Sequence, residues 1–251
     1  MPNEPRRVAL FVPCYVDLMA PRVAEASWRV LERAGCTVSY DARQTCCGQP
    51  FWNTGATREA AALARRHAEI FGACDTVVCP SASCVATVRN RHPELGVDSG
   101  RARTFELAEF LVRELGHVSL GARFPHRVAL LQSCHGLREL GLGTPSELAP
   151  GAAREPGVVE CLLGAVEGLT LVPSARPDEC CGFGGAFSVK LPEVSARIGR
   201  ARLAELAETE AEFVVGTDVS CLLHLDGIRR REGRGPVPIH LAEVLAAGEP
   251  A

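Results

Sequence analysis

Thr45-Cys46-Cys47-Gly48-Gln49 returns 134 residues further on as Glu179-Cys180-Cys181-Gly182-Phe183, and this repeat decides how the chain is organised. Adjacent cysteines followed by glycine make poor packing, because neighbouring side chains diverge and glycine adds no apolar surface. Around a metal the same residues make sense. Two thiolates from consecutive positions reach one metal group, and the glycine lets the backbone approach it or take up a positive φ. Two copies of so rare a tripeptide imply two equivalent sites.

Outward from each copy the order of elements repeats. Residues 7–12 are a short β-prone apolar run ending at Pro13-Cys14, residues 23–34 have helical spacing before Gly35, and residues 36–40 are a second strand leading into the first Cys-Cys-Gly. Residues 57–71 form an alanine-rich amphipathic helix, and 75–78 a third strand running into Cys79 and Cys84. In the second half, 127–131 leads to Ser133-Cys134, 169–172 precedes the second Cys-Cys-Gly, 198–208 is the helix, and 213–215 leads to Cys221. The ends correspond too, since residues 104–111 and 238–245 share Leu-Ala-Glu. Strands alternating with helices predict an α/β fold: two pseudo-repeated Rossmann-like lobes, 1–120 and 121–251, with mainly parallel sheets and sites at the carboxyl ends of the strands. The offset between copies grows from 120 residues at Cys14 and Cys134 to 134 at Cys46 and Cys180 and 137 at Cys84 and Cys221. An insertion including residues 141–157 is expected to loop over the second site, and the hinge between lobes falls within 116–125.

Composition narrows the classes of function. Hydrophobic residues make up 47% of the 251, enough for a core, and 27 basic against 30 acidic residues give no basic field for nucleic acid or anionic lipid. The apolar run 8–19 is interrupted by Pro13 and Asp17 and lacks a small-residue cleavage site, so it is read as a buried first strand entering a loop. No apolar stretch reaches the roughly 20 residues of a membrane span. The expectation is a cytoplasmic protein without direct membrane insertion. Twelve cysteines in such a chain point to metal or redox chemistry, because the cytosol keeps thiols reduced.

The duplication sorts these cysteines. Cys14, Cys46, Cys47 and Cys84 form one set; Cys134, Cys180, Cys181 and Cys221 form the other. Four thiolates are the usual ligand number of an iron–sulfur cluster. A structural zinc site also takes four, but usually from close Cys-x-x-Cys knuckles, whereas here each ligand arrives alone or as an adjacent pair. Gly48 and Gly182 would lie against the bound group. Cys36, Cys74 and Cys161 have no partner in the repeat and are expected to be small buried residues. Cys79 is either a fifth ligand or a bystander, since Gly216 holds its place in the second copy. His135, directly after Cys134, could order the site, donate to a cluster sulfur or take a proton, or be a polar residue of the turn. His224 is read as a helix-face residue without a role.

These motifs resemble the cysteine-rich family named for its Cys-Cys-Gly signature, with a cysteine, then Cys-Cys-Gly, then a later cysteine segment in each unit. Members include the cysteine-rich component of heterodisulfide reductase, the iron–sulfur subunit of glycolate oxidase and the small iron–sulfur subunit of the bacterial lactate-utilisation complex. The last has a Ser-Cys-His-x-x-Arg-Glu segment like Ser133 to Glu139. The resemblance covers nearly the whole chain. It implies [4Fe-4S] clusters, one or two per chain, in an electron-transfer subunit of a complex that oxidises L-lactate to pyruvate. Its partners would be a ferredoxin-like iron–sulfur subunit and a further subunit, with His135 as the catalytic candidate. The heterodisulfide-reductase alternative, acting on thiols and disulfides, has a Cys-x-x-Cys closing each motif. This chain departs there, for Cys79 and Cys84 are more widely spaced and Cys221 is followed by His224. A non-redox zinc scaffold is the third reading.

Overall fold

The structure, a computed structural model, describes residues 5–148 and 155–248 and divides into two compact units, Met1–Leu120 and Gly121–Ala251. In the first, β1 (Arg6–Leu10), β2 (Cys36–Ser39), β3 (Thr76–Cys79) and β4 (Arg103–Glu106) form a sheet in the order β2-β1-β3-β4. In the second, β5 (Arg127–Leu130), β6 (Thr170–Val172), β7 (Phe213–Gly216) and β8 (Val237–His240) repeat it as β6-β5-β7-β8. All six pairings are parallel. The duplicated α/β architecture expected from the sequence is therefore the observed one.

Parallel neighbours need crossovers, and helices supply them. Pro21–Arg33 starts with proline in its first turn and buries Val23, Ala26, Val30 and Leu31 on one face. Thr57–Phe71 buries Ala60, Ala64, His67, Ile70 and Phe71. The central strands β3 and β7 are covered by helices, so Val77, Val78, Val214 and Val215 are fully buried.

Three expectations need correction. The chain beyond β1 does not enter a loop; Cys14–Met19 is a helix. Pro13, with extended ψ, stands at the N-cap three residues after β1 ends, and Asp17 in the first turn favours the helix N-terminus. The second-unit helix begins at Pro192, where proline fits the first helical position, six residues before the periodic pattern. Cys36 is buried as expected, but Cys74 and Cys161 are only half-buried. Cys74 lies in a turn beyond Phe71, and Cys161 lies towards the outside of the helix Val158–Gly164. Part of the expected loop 141–157 lies outside the described residues; the rest includes a single turn, Ser146–Leu148.

Equivalent helices carry different cores. Thr57–Phe71 approaches Gly48 through Ala60 and Leu63, as Pro192–Glu208 approaches Gly182 through Ser195 and Ile198. In that alignment Arg202 occupies the place of His67. The His67 ring lies between Phe11 and Phe71, at 5.0 and 4.7 Å between centroids, and burial pushes its pKa down to about 3. Unfolded His67 takes up a proton below its ordinary pKa near 6.5, while the folded ring stays neutral, so stability is lost as pH falls from that value toward 3. This group alone should cost about 2 kcal/mol between pH 7 and pH 5. Denaturant unfolding at both pH values should show that loss in wild type, and a pH effect smaller by that amount in His67→Phe.

Candidate metal centre

Strands β1 and β3 are neighbours whose connections leave toward opposite sides of the sheet, which makes the crevice beyond their carboxyl ends a topological switch point. The cysteines of the first unit meet at this end. Cys14 opens the helix after β1, Cys46-Cys47 follow β2, and Cys84 sits in the short helix Ala82–Ala86 after β3. Cys47 Sγ is 3.4 Å from Cys84 Sγ, and Cys46 is hydrogen-bonded to both Cys14 and Cys47. Gly48, at φ +92°, turns its N–H onto Cys46 Sγ at 3.4 Å. Behind the turn, fully buried His92 places Nε2 3.0 Å from the Cys47 carbonyl oxygen, which can accept its proton.

The second unit rebuilds this arrangement. Cys134 leads into a π-helical turn, His135–Glu139, beyond β5; Cys180-Cys181 follow β6; Cys221 lies in the first turn of the helix Val219–Glu232. Cys181 Sγ is 2.9 Å from Cys221 Sγ, and Cys180 is hydrogen-bonded to Cys134 and Cys181. Gly182 donates to Cys180 Sγ at 3.3 Å and Phe183 to Cys181 Sγ at 3.5 Å. Here the turn is latched differently, by the Ser195 hydroxyl donating to the Gly182 carbonyl at 2.7 Å. Gly182 sits at φ +89°, and a Cβ there would lie 2.6 Å from the Ser195 carbonyl oxygen. Only glycine allows so close an approach in that conformation.

Four thiols this close cannot all ionise without a counter-charge. Hydrogen bonds from Cys14 and Cys47 hold Cys46 as a thiolate, with its pKa down to about 3, and those from Cys134 and Cys181 lower Cys180 to about 2. Their neighbours are pushed the other way. Cys14 and Cys47 are raised by the hydrogen bond to Cys46 and by burial, and Cys134 and Cys181 likewise by Cys180 and burial. A bound cation or metal cluster would supply the missing positive charge, so the donor set fits such a group. Among the described residues no three Cys, His or carboxylate groups surround a single point as one metal ion requires. The thiols instead form chains of touching pairs, which would have to part around anything they held.

The other candidates take distinct positions. Cys79 is fully buried behind Cys84, hydrogen-bonded to it, and its thiol donates to the Ser81 carbonyl at 3.9 Å. His135 Nδ1 is 3.6 Å from Cys134 Sγ, while its Nε2 is 3.6 Å from Glu139. Three neighbours were given no part in the site by the sequence, among them His224, which lies on a helix face as expected. His224 lies beside Cys180 and Phe183, with its pKa lowered by burial; its place one helical turn after Cys221 was the available signal. Buried Asp218 accepts from the Ser133 hydroxyl, and its position just before a helix was visible. His92 gave no signal, because only the fold brings it to Cys47.

The family model described as CCG, Cysteine-rich domain, matches residues 8–89 and 128–226. A protein of Exiguobacterium sp. named Lactate utilization protein A is 39% identical, over 99% of this chain and 98% of its own. One of the same name from Geobacillus kaustophilus is 37% identical, over 96% and 99%. Among solved structures, a hypothetical protein from Helicobacter pylori aligns with a TM-score of 0.59 at 11% identity, covering 99% of this chain and 50% of that one. That likeness concerns the fold, and the chain spans half the length of that structure.

Proposed function

Since the chain belongs to the CCG cysteine-rich domain family, we propose that it is an iron–sulfur electron-transfer subunit of a multi-subunit oxidoreductase that oxidises L-lactate to pyruvate. The observation that carries this reading is the convergence of four thiols, from the ends of three strands, in each unit. Relatives named for lactate utilization support the metabolic part.

Cys14, Cys46, Cys47 and Cys84 would hold one cluster, and Cys134, Cys180, Cys181 and Cys221 the other. A [4Fe-4S] group bound there supplies reversible one-electron transfer at a potential set by its surroundings. The chain's own contributions follow from the geometry. Cys47, Cys84 and Cys181 are buried and keep water from the inner side of each site. The N–H groups of Gly48, Gly182 and Phe183 point at thiol sulfurs and stabilise negative charge on them. His135, between Cys134 and Glu139, is the candidate for holding a proton at the second site. Cys79, with its thiol donating to a carbonyl, is a bystander. The partners would be a ferredoxin-like iron–sulfur subunit and a further subunit, in the cytoplasm; among the described residues no helix is long and apolar enough to cross a membrane.

Anaerobic purification followed by iron, sulfide and zinc analysis, with EPR of reduced and oxidised protein, tests this. Iron with acid-labile sulfide and a cluster signal is expected. Zinc without sulfide would end the iron–sulfur reading in favour of a scaffold. Exposed Cys180 favours one second reading, a catalytic centre acting on disulfides, and reductive disulfide cleavage by the isolated chain would displace the electron-carrier role.

A further inference from the structure

Open α/β sheets bind ligands in the crevice beyond the carboxyl ends of their strands, and in both units a cavity opens at that end. In the first, Leu10 ends β1, and Val12 and Tyr40 follow β1 and β2. With Trp28 of the helix Pro21–Arg33 they line a cavity of about 520 Å³. Strand pairing sets Ala9 beside Ser39 and, in the second unit, Ala129 beside Val172. Leu130, Gln132 and Pro173 therefore hold the places of Leu10, Val12 and Tyr40. They line a cavity as well, of about 190 Å³, which Pro177 also borders.

The polar groups of the two cavities differ more than their sizes. In the second, the Glu160 carboxylate accepts from the Gly157 N–H at 2.6 Å, and the Ser174 hydroxyl is held between Arg202 and Glu205. Both are committed to the fold. In the first, Glu25 and Asp17 line the cavity and are exposed to water. Among the described residues neither side chain has a hydrogen-bond or ion-pair partner, and no basic side chain lines the cavity. Arg43, three residues beyond Tyr40, is bound to Asp41 at 2.5 Å.

The N-terminus of Pro21–Arg33 brings a partial positive charge of about half an elementary charge, which two carboxylates outweigh. Trp28 is half-buried and Tyr40 is 49% exposed, so two aromatic rings border the same space, and a cation is attracted to the face of such a ring. Leu10 and Val12 are buried and complete an apolar lining.

We infer that the first unit binds a small organic amine in this cavity, with its ammonium group toward Glu25 and Asp17 and its apolar body against Leu10, Val12, Trp28 and Tyr40. The same charges repel carboxylate compounds, hydroxy acids among them. This site is therefore distinct from that of any acid substrate, and it does not depend on what the cysteines hold.

The test is isothermal titration calorimetry of the full chain at neutral pH with three compounds of similar shape: phenethylamine, phenethyl alcohol and phenylacetate. Trp28 offers a second readout. The chain has two tryptophans, so in Trp52→Phe all tryptophan emission comes from Trp28, and it should change when the amine binds. One amine per chain should bind, about tenfold more tightly than the alcohol, with phenylacetate the weakest. Added salt should weaken the amine and leave the alcohol unchanged. Glu25→Gln and Asp17→Asn, both at exposed positions, should each weaken the amine about threefold without moving the alcohol, and Trp28→Leu should weaken it about tenfold. Equal binding of amine and alcohol, no amine bound at millimolar concentration, or amine affinity unmoved in both Glu25→Gln and Asp17→Asn overturns the inference. Tighter binding of Nα-acetyl-lysine amide than of phenethylamine also overturns it, since the occupant would then be a partner's side chain. The iron–sulfur reading stands or falls separately, on iron and sulfide content.

Discussion

Replacing Cys181 by serine should remove about half of the iron and acid-labile sulfide that the anaerobically purified protein carries, because one of two four-thiolate sets loses a ligand. Cys181 is 5% exposed, packs in a cluster with Leu131, Val172 and Leu222, and touches Cys221 at 2.9 Å. A serine hydroxyl there is a poor substitute for a thiolate and is left in an apolar wall. Cys47→Ser should do the same at the first site. Cys161→Ser, on a helix of the second unit without a thiol neighbour in its set, should keep the full content. Colorimetric iron and sulfide assays on the three variants separate these outcomes, and equal loss from all three would show that the sorting of cysteines by repeat is wrong.

Removing Arg202 should have the largest effect on stability. Its side chain is fully buried and paired with Glu205, itself 3% exposed. It also donates to Ser174 Oγ at 3.0 Å and to the carbonyls of Arg176 at 2.8 Å and Leu130 at 3.4 Å. Arg202→Ala strands the Glu205 carboxylate in the interior, a change that typically costs about 3–5 kcal/mol. Urea unfolding should show a loss of that size. The double variant Arg202→Met, Glu205→Leu removes both charges and should recover most of it. Because Arg202 grips the segment from Ser174 to Pro177 that leads to Cys180, the single variant should also lose iron from the second site.

Much of the architecture was legible because β1, β3, β5 and β7 are short apolar runs that stop at or within five residues of a cysteine. The helix Thr57–Phe71 could be bounded at both ends, since its apolar positions keep helical spacing and Gly72 follows. The helix Cys14–Met19 could not, because Leu18 and Met19 are exposed and no buried stripe shows in so short a segment. The eight cysteines stood out through chemical repetition alone. Their supporting residues did not, for different reasons. His92 reaches Cys47 across 45 residues, Asp218 meets Ser133 across 85, and no local pattern encodes contacts that only sheet and crossover create. The buried pair in the place of His67 was equally silent, since Arg202 and Glu205 read as ordinary charges on a helix surface.

Each candidate ligand set lies wholly within one unit, and that has a consequence for biosynthesis. A ribosome translates Cys14 through Cys84, and then β4 ending at Glu106, before it reaches Cys134 and the rest of the second set. Domains generally fold as units, the N-terminal one first during synthesis. The nascent chain therefore completes the first candidate ligand set while the second is still being made, so that, on the proposed reading, insertion of a bound group into the two lobes would be sequential, the first lobe before the second.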